Sequence, residues 1–162
     1  MQRLLPALAA TVLAATVSAQ LSVVIPDGTA NAPGNTSNAF PWGTSATAWP
    51  GLRLMCVYGA VNFTNQQISQ PILINRLKWR PNDTSGAVTG GQFNIATVEL
   101  STSPTGRSGV TTNYASNHGP DRTVVYDAAV NGAVIHTATP GSAGWTPQSW
   151  CVDIQLPTPF LY

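Results

Sequence analysis

Beyond its first nineteen residues, the chain never keeps an apolar face at helical spacing for ten residues. Gly, Pro, Asn, Asp and Ser clusters break it repeatedly. A helix needs apolar residues at i, i+3, i+4 and i+7, whereas a half-buried strand needs only alternation. This pattern leaves strands as the long elements. Leu52 to Tyr58 reads as the first long strand. Ile72 to Arg80 alternates, with Leu73, Leu77 and Trp79 on one face and Arg76, Lys78 and Arg80 on the other. Phe93 to Leu100 reads as another, and Thr123 to Tyr126 and Ala133 to His136 as short ones. In the last, Trp150, Val152, Ile154 and Leu156 point inward. Asn65 to Gln70 offers one short turn of helix. The expected fold is all-β: an antiparallel β-sandwich or jelly roll with long Gly/Pro-rich loops.

The first nineteen residues have a different character. Met1-Gln2-Arg3 carries one positive charge, Leu4 to Val17 is apolar, and Val17-Ser18-Ala19 places small residues at a cleavage point. Those are the parts of a signal peptide in order. The apolar run is shorter than the ~20 residues that span a bilayer, and Pro6 interrupts it. Cleavage after Ala19 predicts a secreted, extracytoplasmic protein of 143 residues, one domain by length. Residues 20–51, rich in turn sequences, form an N-terminal extended loop segment with a first short strand. Residues 52–162 form the sandwich body. The apolar end Pro159-Phe160-Leu161-Tyr162 is expected either to tuck into the fold or to mark a truncated chain.

Without the leader, six basic and six acidic residues balance. Charged residues make up 8% of the chain, against about 25% in an average domain. Such a surface cannot neutralise a phosphate backbone or grip an anionic bilayer, so nucleic acid and membrane surface are not expected partners. No later segment is apolar enough to span a membrane. Polysaccharide, a cell-envelope component or further copies of the chain remain. Cys56 and Cys151 in an oxidising compartment read as one disulfide. Closing so long a loop would restrict the unfolded chain by about 4–5 kcal/mol. It would also require the Leu52–Tyr58 strand to pair with, or pack on, the last one.

Few residues offer chemistry. Asp27, Asp83, Glu99, Asp121, Asp127 and Asp153 show no glycosidase-like pairing by spacing, and most sit in turns where Asp caps the chain. There is no Gly-x-Ser-x-Gly elbow, and His118 and His136 are far apart. No His/Cys cluster has zinc spacing. Hard-oxygen calcium candidates are Asp27 with Asn31 and Asn35, and Asn117 with Asp121. Trp42, Trp49 and Trp145 lie in loops and are candidate sugar platforms, while Trp79 and Trp150 belong to strands. The row Arg76, Lys78, Arg80 is either a solvated, edge-protecting face or a contact for an anionic glycan. Asn35, Asn62 and Asn82 carry glycosylation sequons.

Two stretches carry a resemblance. One is Leu100-Ser101-Thr102-Ser103-Pro104, then Tyr114 to Asp121, then Val124-Val125-Tyr126. The other is Tyr58 to Phe63 leading into Ile74 to Pro81. Together they resemble a group of secreted bacterial β-sandwich proteins of planctomycete-type genomes, related to proteins with PEP-CTERM-type sorting tails. The resemblance spans roughly residues 50 to 162 and implies a fold, with no catalytic residue to carry over. The chain departs from the group in lacking the sorting tail and a further strand. The Asn117…Asp121 turn is expected to be a structural corner with its bend at Gly119. The expected function is a secreted non-enzymatic module, structural or glycan-binding, without cofactor. The alternatives are a secreted hydrolase acting on polysaccharide and a self-assembling surface or matrix subunit.

Overall fold

The computed structural model describes residues 21–34, 51–82, 87, 89–138 and 144–162. The leader, Trp42, Trp49, Asn35 and Asp83 lie outside the described residues. Strands dominate. A four-stranded antiparallel sheet has the order β1-β6-β5-β2, and a two-stranded antiparallel sheet is made of β3 and β4. The strands are β1 Leu73–Trp79, β2 Gly91–Phe93, β3 Thr97–Leu100, β4 Thr123–Asp127, β5 Val134–His136 and β6 Val152–Leu161. Two four-residue helices, α1 Val61–Thr64 and α2 Ala128–Asn131, complete the regular elements with two short 3-10 turns. The Asp127 side chain caps α2 by accepting the Ala129 N–H at 2.9 Å.

β6 organises the fold. Its alternation is the one read from sequence: Val152, Ile154 and Leu156 are buried, Asp153 and Gln155 exposed. Val125, Val134, Cys151 and Phe160 join them in one core, with Ile74, Leu77, Trp79, Phe93, Val98 and Leu100 packed around it. β4 reaches this core through Val125, which is 1% exposed.

β1 departs from simple alternation. Ile74 lies opposite Phe160, and Arg76 opposite Gln155, so Asn75 alone faces Leu156 to Pro159. Pro157 and Pro159 have no N–H to give to a ladder, which favours a bulge at this point. Gln155 Nε2 donates to the Asn75 carbonyl across the gap at 2.8 Å. The bulge turns Leu73 outward, contrary to the expected inward face. It stands 60% exposed opposite Leu161, while Ile74 takes the core side.

Three further sequence expectations are corrected. Leu52 to Tyr58 is not a strand, because β1 occupies the place beside β6. It runs exposed along the 111–117 turn, where Tyr114 donates its hydroxyl to the Arg53 carbonyl at 2.7 Å. Phe93 to Leu100 is not one strand. The chain leaves the four-stranded sheet at Phe93, passes solvent at Ile95 (95% exposed) and enters the other sheet at Thr97. The expected disulfide is not formed: both cysteines are free thiols, Cys56 exposed and Cys151 buried. Cys151 Sγ lies 3.5 Å from the Trp79 carbonyl. Cys56 instead neighbours Tyr58, whose phenol is pushed up to about 12 by desolvation and by that thiol.

β1 and β2 are the outer strands of the larger sheet. β2 is short, and β1 presents Arg76 and Lys78, both features that discourage strand addition. Among the described residues, no helix is long and apolar enough to cross a membrane.

Candidate functional site

The sheet positions two polar centres. The first lies where β1 ends. Arg80 directs its guanidinium at the backbone of two distant segments. Nη2 donates to the carbonyls of Thr29 and of Ala32, the latter at 3.1 Å. Nη1 donates to the carbonyls of Pro147 and of Ala30, the latter at 3.3 Å. The same guanidinium sits over the Trp150 ring at 5.0 Å and the Trp145 ring at 5.3 Å. A planar fork with five donors suits such a cage of carbonyls, and its faces suit aromatic rings. Burial lowers the Arg80 pKa. Residues 21–34 form turns without strand, and Arg80 shares the task of holding them with α1 and the turn after it. There Gln66 exchanges bonds with the Val24 backbone, Asn62 accepts the Asp27 N–H, and Asn65 donates to the Asp27 carboxylate at 2.5 Å.

Trp145 belongs to this centre. It is half-buried, and its Nε1–H donates to the Pro81 carbonyl at 2.8 Å. With one face toward Arg80 and its N–H on Pro81, the ring fixes a loop. Arg76 and Lys78, the other members of the expected basic row, converge on Asp153 at 2.6 Å and 3.4 Å. Arg76 binds that carboxylate through Nε and Nη2, which holds Asp153 below its ordinary range. No free basic row results.

The second centre lies at the end of β3. Val98 and Leu100 pack toward the core, so Glu99 and Ser101 share the opposite side. The turn 114–121 folds back over them. Ser101 Oγ lies 2.8 Å from His118 Nδ1, and His118 Nε2 lies 4.0 Å from Glu99 Oε2. Arg122 clamps Glu99 with Nη2 at 2.8 Å from both carboxylate oxygens and Nε at 3.2 Å from one. Below them, the Asp121 carboxylate accepts the Thr102 N–H with both oxygens at 3.0 Å, and the Thr102 hydroxyl at 3.0 Å. The backbone N–H bond is the main reason its pKa is lowered. Gly119 N–H donates to the Thr102 carbonyl at 2.7 Å. A Cβ at Gly119 would come within 2.7–2.9 Å of Thr102 and Asp121. Close approach, and not a positive φ, therefore requires glycine here.

The calcium candidates have structural partners. Asn117, 3% exposed, closes its own loop by accepting the Thr111 N–H and donating to the Thr111 carbonyl. Asp27 and Asp121 bind the groups named above. Among the described residues, no group of three or more His, Cys, Asp and Glu side chains could hold a metal ion. His136 stands apart in the core, 4% exposed, and among the described residues its Nδ1 has no hydrogen-bond partner. Burial lowers its pKa.

Among the hollows of the described residues, two shallow ones are each slightly above 300 Å³. One lies between β4 and Pro157, the other between Phe63 and Tyr162. Neither touches the two polar centres. Compared with protein-family models, with curated proteins and with solved structures, the chain matches none.

Proposed function

We propose that the protein is a secreted, non-enzymatic extracellular or cell-surface module, a small β-sandwich that works as a structural or binding component toward polysaccharide or envelope material. One observation supports this above the rest. Each of the five described carboxylates is engaged by the chain's own groups. Asp27 meets Asn65, Glu99 meets Arg122, Asp121 meets Thr102, Asp127 caps α2, and Asp153 meets Arg76 and Lys78. Glycoside cleavage needs two carboxyl groups free to face a sugar across a gap. Export rests on the leader, and the uncharged Asn/Thr-rich surface suits neutral partners. Trp145 has one ring face on Arg80, which leaves Trp42 and Trp49 as the first loop tryptophans to test for sugar binding.

The mature protein is expected to be retained on insoluble polysaccharide or envelope preparations without shortening any glycan chain. Trp42→Ala and Trp49→Ala should reduce retention. Release of reducing ends by the purified protein would contradict the reading, and so would the absence of retention on any such material.

A second reading, ester hydrolysis on a polysaccharide, is favoured by the contact of Ser101, His118 and Glu99 on one side of β3. Acyl transfer asks for a hydroxyl, a base and a group that orients the base. It does not ask for a second carboxyl.

A further inference from the structure

Taking the ester-hydrolase reading as its basis, we propose that Ser101 is the acyl-accepting nucleophile, with His118 Nδ1 as its base and Glu99 as the residue that sets the imidazole tautomer. The Glu99 carboxylate near Nε2 favours the proton on that nitrogen. Nδ1 is then a free acceptor, and it is the atom 2.8 Å from Ser101 Oγ. Arg122 holds the Glu99 carboxylate in place through both oxygens. The Asp121 grip on Thr102 holds the backbone next to the nucleophile. Five separate side chains thus define one serine geometry, although none of the catalytic sequence motifs is present.

The reaction balances with water as co-reactant. Ser101 Oγ attacks the acyl carbon of an ester while its proton moves to His118 Nδ1. The acyl–oxygen bond to the alcohol breaks, and His118 returns the proton to the departing alkoxide. Water then attacks the acyl-serine. His118 takes the water's proton and gives it to Ser101 as the acid leaves. Neither of the two hollows touches this group, and a substrate would approach it beside the turn 114–121. That suits a small acyl substituent, such as an acetyl ester, projecting from a larger uncharged polymer.

The test uses the purified mature chain with a fluorophosphonate probe and p-nitrophenyl acetate. The probe forms a P–O bond to a reactive serine and loses fluoride. Peptide mapping is expected to place the adduct on Ser101. Ester cleavage should fall at least ~100-fold in Ser101→Ala and His118→Gln, and about 10-fold in Glu99→Gln. Arg76→Ala should leave it unchanged. Mapping needs no variant, so a misfolded Ser101→Ala cannot obscure the answer. An adduct on another residue, or cleavage that persists in folded Ser101→Ala, overturns the assignment and leaves the ester-hydrolase reading standing. No adduct and no cleavage above buffer overturns both.

Discussion

Arg76 and Arg80 are four residues apart near the end of one strand, and their situations differ completely. Arg76 lies on the solvent face of the sheet, pairs with Asp153 and is 43% exposed. Arg80 lies where the sheet gives way to loops and donates to backbone carbonyls from two remote segments. An exposed ion pair gains little because water screens it and both side chains lose freedom. A guanidinium caged by carbonyls cannot be removed without stranding those acceptors. Polar side chains matter most in this molecule where they replace missing strand pairing, at its loop ends.

This contrast can be broken by mutation. Arg80→Ala is expected to cost on the order of 3 kcal/mol, seen as a lower denaturant midpoint. Arg80→Lys should recover only part of that, because a single ammonium cannot follow the fork. Protection of amides in residues 21–34 from hydrogen exchange should fall with it. The corner at Asp121 should behave like the Arg80 end. Gly119→Ala forces a Cβ into Thr102 and Asp121 and is expected to cost about 1–3 kcal/mol in equilibrium unfolding.

Much of this was legible beforehand. β6 and the inner half of β1 follow alternation because one face of each is buried against the core. The bulge was not legible, since it depends on which strand meets Pro157 and Pro159. Leu52 to Tyr58 is as apolar as a strand, yet β1 takes the place beside β6 expected for it. Arg80 looked like the third member of a basic row. Its true partners lie 48 to 67 residues away, beyond any local pattern. Glu99 and Ser101 could be placed on one face from spacing alone, but His118 is 17 residues beyond Ser101 and reaches it only through the turn.

Acid should separate the buried from the exposed groups. His136 has a lowered pKa in the fold, so it stays neutral there while the unfolded form takes up a proton more readily. Its destabilising effect begins as pH falls below its ordinary value of 6.5 and levels off below the folded value. Chemical denaturation between about pH 7 and pH 5 should show that slope, and His136→Leu should flatten it. Asp153 is also lowered, by Arg76 first. Its contribution is complete above the ordinary carboxylate value of 3.8 and is lost only as pH falls further toward the folded value. The smallest expected effect is the exposed pair itself. Arg76→Ala or Asp153→Ala should change stability by less than about 1 kcal/mol, and by less still in high salt.

The comparison rests most directly on equilibrium unfolding of Arg80→Ala beside Arg76→Ala, in the same buffer and at the same pH. The expected result is a midpoint for Arg80→Ala several times further below the wild-type value than that for Arg76→Ala. Equal shifts, or a larger one for Arg76→Ala, would contradict the view that side-chain bonds to the backbone hold the loop ends of this fold.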